Sequence, residues 1–279
     1  MSGGGNQMDS RPLVSIVTVT FNSGDTLADT INSVLGQTYA NFEHIIVDGG
    51  STDDTIELIE NSEDNYQGRL KWASSPDDGI YDAMNKGVAL ATGDIIGILN
   101  SDDLYADREV LADIAASFVD SDCDFLYADL VYVDRVDLDV ITRVWIAGDG
   151  RFALGWNPPH PTLYLRKRVY EQNGWYKTSY KISSDYDYMI RLFNPEASLK
   201  PWYLRRTIVK MRQGGESTKS LRSNIIAFRE AQQSLEYYQI RMPYVVNALR
   251  VLRKLRQLRP RRESAQSIQQ QIVKSEDGS

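Results

Sequence analysis

The stretch Ile95-Ile96-Gly97-Ile98-Leu99-Asn100-Ser101-Asp102-Asp103 decides how this chain reads. Five residues, apolar apart from one glycine, run straight into a polar turn that ends in adjacent carboxylates. An apolar run without polar alternation suits a strand of a parallel sheet, which is covered on both faces. In open α/β sheets, ligands bind beyond the carboxyl ends of the strands. Asp102 and Asp103 therefore stand where hard oxygen ligands would hold Mg²⁺ or Mn²⁺ and, through it, a phosphate. Asn, Ser and Asp are also ordinary turn residues, so a solvated turn competes for the stretch taken alone.

Working back towards the start, the same grammar recurs. Val14 to Val19 is rich in β-branched residues and predicts a first strand, ending in the turn Thr20-Phe21-Asn22-Ser23-Gly24-Asp25. Leu27, Ile31, Val34 and Leu35 share one face of a helix. His44 to Val47 predicts a second strand, followed by Asp48-Gly49-Gly50-Ser51-Thr52-Asp53-Asp54 and a helix carrying Ile56 and Ile59. Arg69 to Ala73 predicts a third strand, then Pro76-Asp77-Asp78-Gly79 and a helix with Ile80, Met84, Val88 and Ala91 in register. Three β-to-α transitions in succession predict an α/β fold with a mainly parallel sheet and right-handed crossovers. Asp48, Asp77, Asp78, Asp102 and Asp103 all fall on its C-terminal edge.

Downstream the pattern loosens. A helix carries Val110, Leu111, Ile114 and Phe118. Phe125 to Tyr127, Leu130 to Val133, Val140 to Ile146 and Thr162 to Leu165 read as shorter strands, and Gly148 to Pro161 as a loop. Ser183-Ser184-Asp185 starts a helix that continues through Met189, Leu192 and Phe193. Gln213 to Ser217 reads as a flexible loop, and Leu221, Ile225, Phe228 and Leu235 mark a long amphipathic helix. The boundaries are a disordered start at 1–11, a catalytic domain at 12–240 with halves 12–119 and 120–240, a basic amphipathic helix at 241–262, and a disordered tail at 263–279.

Charge is unevenly spread. The chain of 279 residues has a formal net charge of −7. Residues 241–279 contribute nine Lys/Arg against three Asp/Glu, so residues 1–240 carry −13. An acidic body argues against a nucleic-acid partner. The single cysteine, Cys123, forbids an internal disulfide and points to a reducing, cytoplasmic setting. No apolar run is long enough to span a bilayer, and the polar, Gly-rich start lacks the parts of a signal peptide.

Several chemistries have no motif. No Gly-Lys-Ser phosphate cradle or dinucleotide fingerprint follows the first strand. No zinc-type His/Cys spacing and no Ser-His-Asp arrangement is present. Carboxylates at strand ends remain, which suits metal-assisted or general-base chemistry.

Together the motifs resemble family 2 glycosyltransferases of the GT-A fold. They are Val14-Ser15-Ile16-Val17 with Thr20-Phe21-Asn22, Ser33 to Thr38, Val47-Asp48-Gly49-Gly50-Ser51-Thr52-Asp53, Gly79 to Gly87, Ala91 to Asp94, and Leu99-Asn100-Ser101-Asp102-Asp103. The resemblance covers residues 13 to about 240 and is nearest to bacterial enzymes making colanic acid and other surface polysaccharides. It implies an inverting, metal-dependent sugar transfer from a UDP- or GDP-linked donor to a saccharide acceptor. The acceptor would be a growing lipid-linked chain at the inner face of the plasma membrane, and the enzyme would work alone or as a homo-oligomer. Thr20, Phe21 and Asn22 would then lie beside the nucleotide base, with Phe21 stacking on it where the family often has tyrosine. Asp48 would read the base or ribose, and Asp78 would lie near the donor. Asn100, Ser101 and Asp102 occupy the place of the family's Asp-x-Asp metal motif, with Asn in the first position. That assigns Asp102 as the main metal ligand, with Asp103 assisting it or holding the loop. A neutral amide is a weaker ligand than a carboxylate, so a catalytically weak sugar-nucleotide-binding module is the alternative reading.

Asp185 matches the family's catalytic-base segment. Asp187, two residues on, points about 200° away on a helix. By the same resemblance, His160 would stand at the acceptor entrance, with structural burial an equal reading, while Trp156 would stack on sugar or pack in the core. Gly214 and Gly215 would let a loop close over the donor. In the tail, Val245, Leu249, Leu252, Leu255 and Leu258 form an apolar stripe among arginines. That pattern suits an interfacial helix on anionic lipid, or a helix docked on protein.

Overall fold

A computed structural model of the chain describes residues 11–214, 221–256 and 263–264. Four strands form the first half: β1 (Val14–Thr20), β2 (Phe42–Asp48), β3 (Leu70–Ser74) and β4 (Ile95–Ile98). They lie in the order β3-β2-β1-β4 and are all parallel. Helices α1 (Leu27–Leu35), α2 (Thr55–Tyr66) and α3 (Ile80–Leu90) make the crossovers. Every residue of β1, β2 and β4 is buried, as expected for strands covered on both faces.

Period-two alternation divides those strands between two cores. Val17, Val19, Ile45, Val47, Ile96 and Ile98 pack with Tyr81, Met84 and Val88 of α3. On the other face, Ile16, Ile46, Ile95 and Leu99 pack with Leu27, Ile31 and Val34 of α1. Gly97 is required by this packing, because a Cβ there would stand 2.1 Å from the Tyr164 ring.

The chain order places the reversal of strand progression between β1 and β4. The turns after these two strands therefore flank the crevice where α/β sheets bind ligands. The Ser23 and Ser101 hydroxyls meet across it at 2.8 Å.

The second half extends the same sheet with mixed directions. The added strands are β5 (Asp103–Tyr105), β6 (Phe125–Val133), β7 (Val140–Trp145), β8 (Tyr164–Arg166) and β9 (Pro201–Arg212). Helices α4 (Val110–Ser121), α5 (Lys167–Asn173), α6 (Ser184–Leu192), α7 (Leu221–Tyr237) and α8 (Pro243–Arg256) pack around them. The two short strands expected at 125–127 and 130–133 are one strand. Asp129, which reads as a break, is buried within it. Its carboxylate accepts hydrogen bonds from Ala147 N (2.7 Å) and the Tyr203 hydroxyl (2.7 Å), and the register against β9 shifts there. The loop at 148–161 contains a short 3₁₀ turn at Phe152–Leu154 and leads into another at His160–Thr162. In the expected disordered tail, Glu263–Ser264 pair with β7 as a short strand β10. Residues 1–10, 257–262 and 265–279 of the expected terminal segments lie outside the described residues.

Candidate active site

The crevice is built by turns that depend on one another. Asn22 adopts φ 49° at the end of β1. Its side chain accepts from Thr52 N (2.9 Å), and its own N–H donates to Ser51 Oγ (2.8 Å). The turns after β1 and β2 are thus one unit. Phe21 projects from it with 62 % of its surface exposed, which is unusual for an aromatic in a tightly bonded turn. Thr20 lies beneath, buried, with a hydroxyl that has no hydrogen-bond partner. Asp78 is exposed on the loop after β3, and its N–H donates to Asp82.

Asp48 has a different place from the one expected for a donor-reading carboxylate. It has no exposed surface. Its Oδ2 accepts from Gly50 N (2.9 Å), Ser51 N (2.9 Å) and Ser74 Oγ (2.7 Å), and Oδ1 accepts from the Ser51 hydroxyl. A carboxylate whose lone pairs are taken by its own turn builds the site wall and has little left for a base or ribose. The carboxylate that approaches the crevice from this side is Asp77. Its Oδ2 lies 2.7 Å from where a Cβ at Gly49 would stand, and the Phe21 ring lies 3.4 Å from the same point. Side-chain-free Gly49 leaves room for both, a pairing that only the folded chain reveals.

The pair after β4 also divides. Asp102 is partly exposed at the lip, whereas Asp103 has no exposed surface and begins β5, paired with Met211 of β9. Burial pushes the Asp103 carboxyl well above the usual range, and the neighbouring Asp102 charge adds to this. Asn100 Nδ2 donates to it (3.2 Å), and Arg212 also opposes the rise. Asp103 therefore faces the interior, the placement that suits its second expected part, holding the loop. Among the described residues, no cluster of three His, Cys, Asp or Glu side chains could hold an ion. The remaining donors at the lip are the Asp102 carboxylate and the Asn100 amide oxygen, which is buried without a partner. One carboxylate suits Mg²⁺ or Mn²⁺ where substrate phosphates complete the coordination.

In the second half, Asp185 is partly exposed on the first turn of α6. Its Oδ1 accepts from the Tyr81 hydroxyl (3.2 Å) and from Tyr186 N (2.8 Å), and Oδ2 receives neither bond. The single Tyr81 hydroxyl proton is shared with Ile182 O, the nearer acceptor at 2.5 Å. Tyr81 stands at the start of α3, directly after the Asp77 loop, and so ties α6 to the strand edge. Glu230 of α7 holds the same turn from below. Its carboxylate accepts from Lys181 N (2.8 Å), Ile182 N (2.9 Å) and Ser183 N (2.9 Å). Ser183, the N-cap residue, makes no capping bond of its own, and Glu230 fixes the segment 181–183 that leads into α6. Arg250 of α8 stacks 4.6 Å over the Tyr186 ring beside Asp185. Tyr81, Glu230 and Arg250 are too distant in sequence for spacing to reveal them.

Asp187 turns away, fully buried. It accepts from Lys177 Nζ (2.8 Å), Ser234 Oγ (3.0 Å) and the Tyr238 hydroxyl (3.3 Å), with Arg191 Nε at 3.3 Å. His160 is buried, its Nε2 2.9 Å from the Tyr176 hydroxyl. Burial lowers its pKa, while the Asp185 charge works in the opposite direction. Trp156 is a core residue. Its indole donates to Ala147 O (2.7 Å), and its ring meets Tyr127, Phe152 and Phe193 edge-on. Stacking on an acceptor sugar is thereby corrected to packing. Gly214 ends the described loop with φ 102°, and Gly215 lies outside the described residues.

Comparison with known proteins identifies the family and the fold. The sequence model of Glycosyl transferase family 2 matches residues 15–180. The chain belongs to that family. A PGL/p-HBAD biosynthesis glycosyltransferase of Mycobacterium tuberculosis is 33 % identical over 189 residues, covering 67 % of this chain and 72 % of that protein. An uncharacterized glycosyltransferase of the same organism is 32 % identical over 192 residues, 66 % of this chain and 70 % of its own. Among solved structures, residues 1–349 of Staphylococcus aureus TarS in complex with UDP-GlcNAc superpose with a TM-score of 0.62 at 18 % identity. That match covers 79 % of this chain and 65 % of the other; the chain spans 38 % of the longer TarS structure. The mannosyltransferase PcManGT of Pyrobaculum calidifontis, in complex with GDP-Man and Mn²⁺, gives a TM-score of 0.63 at 16 % identity, covering 88 % and 70 %. The fold is the GT-A glycosyltransferase fold, and the chain is a transferase.

Proposed function

We propose that the chain transfers a sugar, with inversion, from a UDP- or GDP-linked donor to the hydroxyl of a lipid-linked saccharide in surface-polysaccharide assembly. The observation that carries this reading is Asp185. It is a partly exposed carboxylate contacted on one oxygen by Tyr81 of α3, which follows directly on the Asp77 loop at the strand edge where the donor would lie. Phe21 would stack on the base, with Asp77 accepting from base N–H or ribose hydroxyl, and Asp78 would lie near the donor. Asp102, with the Asn100 amide oxygen, would hold Mg²⁺ or Mn²⁺ against the diphosphate. When bound, the ion neutralises charge on the leaving group. The TarS complex with UDP-GlcNAc and the PcManGT complex with GDP-Man and Mn²⁺ support a nucleotide-sugar donor and a divalent ion.

The chemistry is a single displacement. Asp185 takes the proton of the acceptor hydroxyl as its oxygen bonds to the anomeric carbon. The bond from that carbon to the diphosphate oxygen breaks, and the nucleoside diphosphate leaves with the electron pair. Opposite faces of attack and departure give inversion. Buried His160 and Tyr176 support the acceptor side of α6 as structural neighbours of Asp185. The loop beginning at Gly214 would close over the donor and exclude the water that would otherwise hydrolyse it.

The test is a screen of UDP- and GDP-sugars with Mn²⁺ or Mg²⁺, read as nucleoside diphosphate release and as product stereochemistry. Release should need the ion, and Asp185→Asn should lower transfer by about 10²–10⁴-fold while donor binding survives. Unchanged turnover in that variant would remove Asp185 as the base. Binding without turnover by any donor and acceptor would support the binding-module reading, which the single lip carboxylate favours.

A further inference from the structure

Helix α8 leaves an apolar face exposed, which shares Val245 and Leu252 with the stripe expected from the sequence, whereas Leu249 is half-buried against Gly155. The inner side of the helix is fixed: Val246 and Asn247 are buried, and Asn247 Nδ2 donates to Phe228 O (3.0 Å) and Gln232 Oε1 (3.3 Å) of α7. Arg253 Nε donates to Leu154 O (3.0 Å), and the Leu249–Arg250 backbone packs so tightly on Gly155 that a Cβ there would stand 2.4 Å from Arg250 N. On the other side Tyr244, Val245, Ala248, Val251 and Leu252 are all exposed, at the i, i+1, i+4, i+7, i+8 spacing of one helix face. Leu252 is 55 % exposed and Tyr244 66 %. Tyr244 meets Glu236 and Asn247 meets Phe228, so α7 and α8 run antiparallel. The C-terminal part of α8 thus lies towards Ile225 and Phe228, which are also exposed. Residues 241–262 hold eight Lys/Arg and no Asp/Glu, and Arg222 and Arg229 are exposed on α7.

We propose that this face docks on an anionic lipid bilayer. An apolar stripe edged by cations is what an interfacial helix needs, burying side chains below the headgroups while arginines meet phosphates. A second copy of the chain fits less well. A two-fold pairing of this face would set Arg241 and Arg253 of one copy against the same arginines of the other. The net charge of −13 on residues 1–240 turns the rest of the molecule away from an anionic surface and leaves this side facing it. On the glycosyl-transfer reading, docking has a further use. The inner side of the same helix carries Arg250 beside Asp185, so a lipid-linked acceptor would enter about one helix diameter, ~10 Å, from the base.

Flotation of the full chain with phosphatidylcholine vesicles, with and without phosphatidylglycerol, tests the docking independently of activity. Binding should require phosphatidylglycerol and weaken in high salt. The double variant Val251→Asp, Leu252→Asp should bind at least about tenfold more weakly, with its melting temperature unchanged because both side chains are exposed. Arg241→Glu should bind less without touching the apolar stripe. Equal binding to neutral vesicles, no binding to either kind, or full binding by the double variant would overturn the proposal. So would a dimer in sedimentation that the double variant dissolves, since the face would then belong to a second copy.

Discussion

Two pairs of aspartates, one in each half of the chain, share a plan and differ in how they bury charge. Asp102 and Asp185 are partly exposed, while Asp103 and Asp187 have no exposed surface. Asp187 lies among Lys177, Arg191, Ser234 and Tyr238, with opposite charge and hydrogen bonds in place. Asp103 has one amide hydrogen bond to Oδ2, and its Oδ1 has no partner. Cations and hydrogen bonds around a buried carboxylate offset the cost of burying its charge, as at Asp187; at Asp103 desolvation outweighs the Asn100 bond and the Arg212 charge, and the pKa rises. Equal burial therefore goes with an ion-paired carboxylate that joins elements in one place and with a carboxyl of raised pKa in the other.

The largest effect expected from this difference is on stability through Asp187. It joins α6 to α7, so Asp187→Asn leaves Lys177 and Arg191 facing a neutral amide. We expect a loss of about 3 kcal/mol in denaturant unfolding. The helix carrying Asp185 should loosen with it, visible as faster hydrogen exchange in α6. A variant as stable as the parent would show that Asp187 is no ion centre and that the contrast with Asp103 is false.

Glu43 gives the comparison a reference point. It is buried at the edge of β2 and takes donors from Ser15, Lys71 and Thr92 at 2.5–2.9 Å. Burial alone would raise its pKa, but the Lys71, Ser15 and Thr92 bonds outweigh that and hold it at about 2. A depressed folded pKa stabilises fully above the unfolded value of 4.5 and is lost as pH falls through about 2. Between those limits the chain should lose about 3 kcal/mol from this group. Glu43→Gln should pay that cost already at pH 7 and flatten the acid side of the stability profile. An unchanged slope below pH 4.5 would show that these donors do not hold the charge.

Much of the fold is legible because covered strands are rich in apolar and β-branched residues. β4 is an unbroken apolar run, and β1 and β2 stand out by their Val and Ile although they enclose buried Ser15, Thr18, Glu43 and His44. The order of these strands places carboxylates at one edge. Burial inside an element is harder to read. Asp129 looks like a turn, yet it continues β6 because Tyr203, more than seventy residues on, supplies a hydrogen bond. The same non-locality hides the roles at the site. Asp103 turns inward because β5 pairs with β9, and Asp48 is consumed by donors from its own turn and from Ser74. Tyr81 reaches Asp185 across 104 positions, and Glu230 holds the turn before α6 from 47 or more away. A carboxylate at a strand end is visible in a sequence. Which way it faces depends on partners that only folding brings near.

The smallest effect should come from Asp103, and it separates the two members of the lip pair. A pKa raised in the folded state means the protonated form is favoured by folding. Its contribution is present at low pH and is lost as pH rises through the raised value. Asparagine resembles the neutral carboxyl, so Asp103→Asn should be within about 1 kcal/mol of the parent at pH 7, on the stable side, with a flatter dependence on pH above 4. A metal ligand would behave in the opposite way. Asp102→Asn should weaken Mn²⁺ binding in the presence of UDP, measured by calorimetry, while Asp103→Asn leaves it within about twofold. If Asp103→Asn instead loses the ion as strongly as Asp102→Asn, Asp103 must turn outward when donor and metal bind. The buried carboxyl would then be the resting position of a ligand, and the contrast with Asp187 would be one between a fixed charge and a movable one.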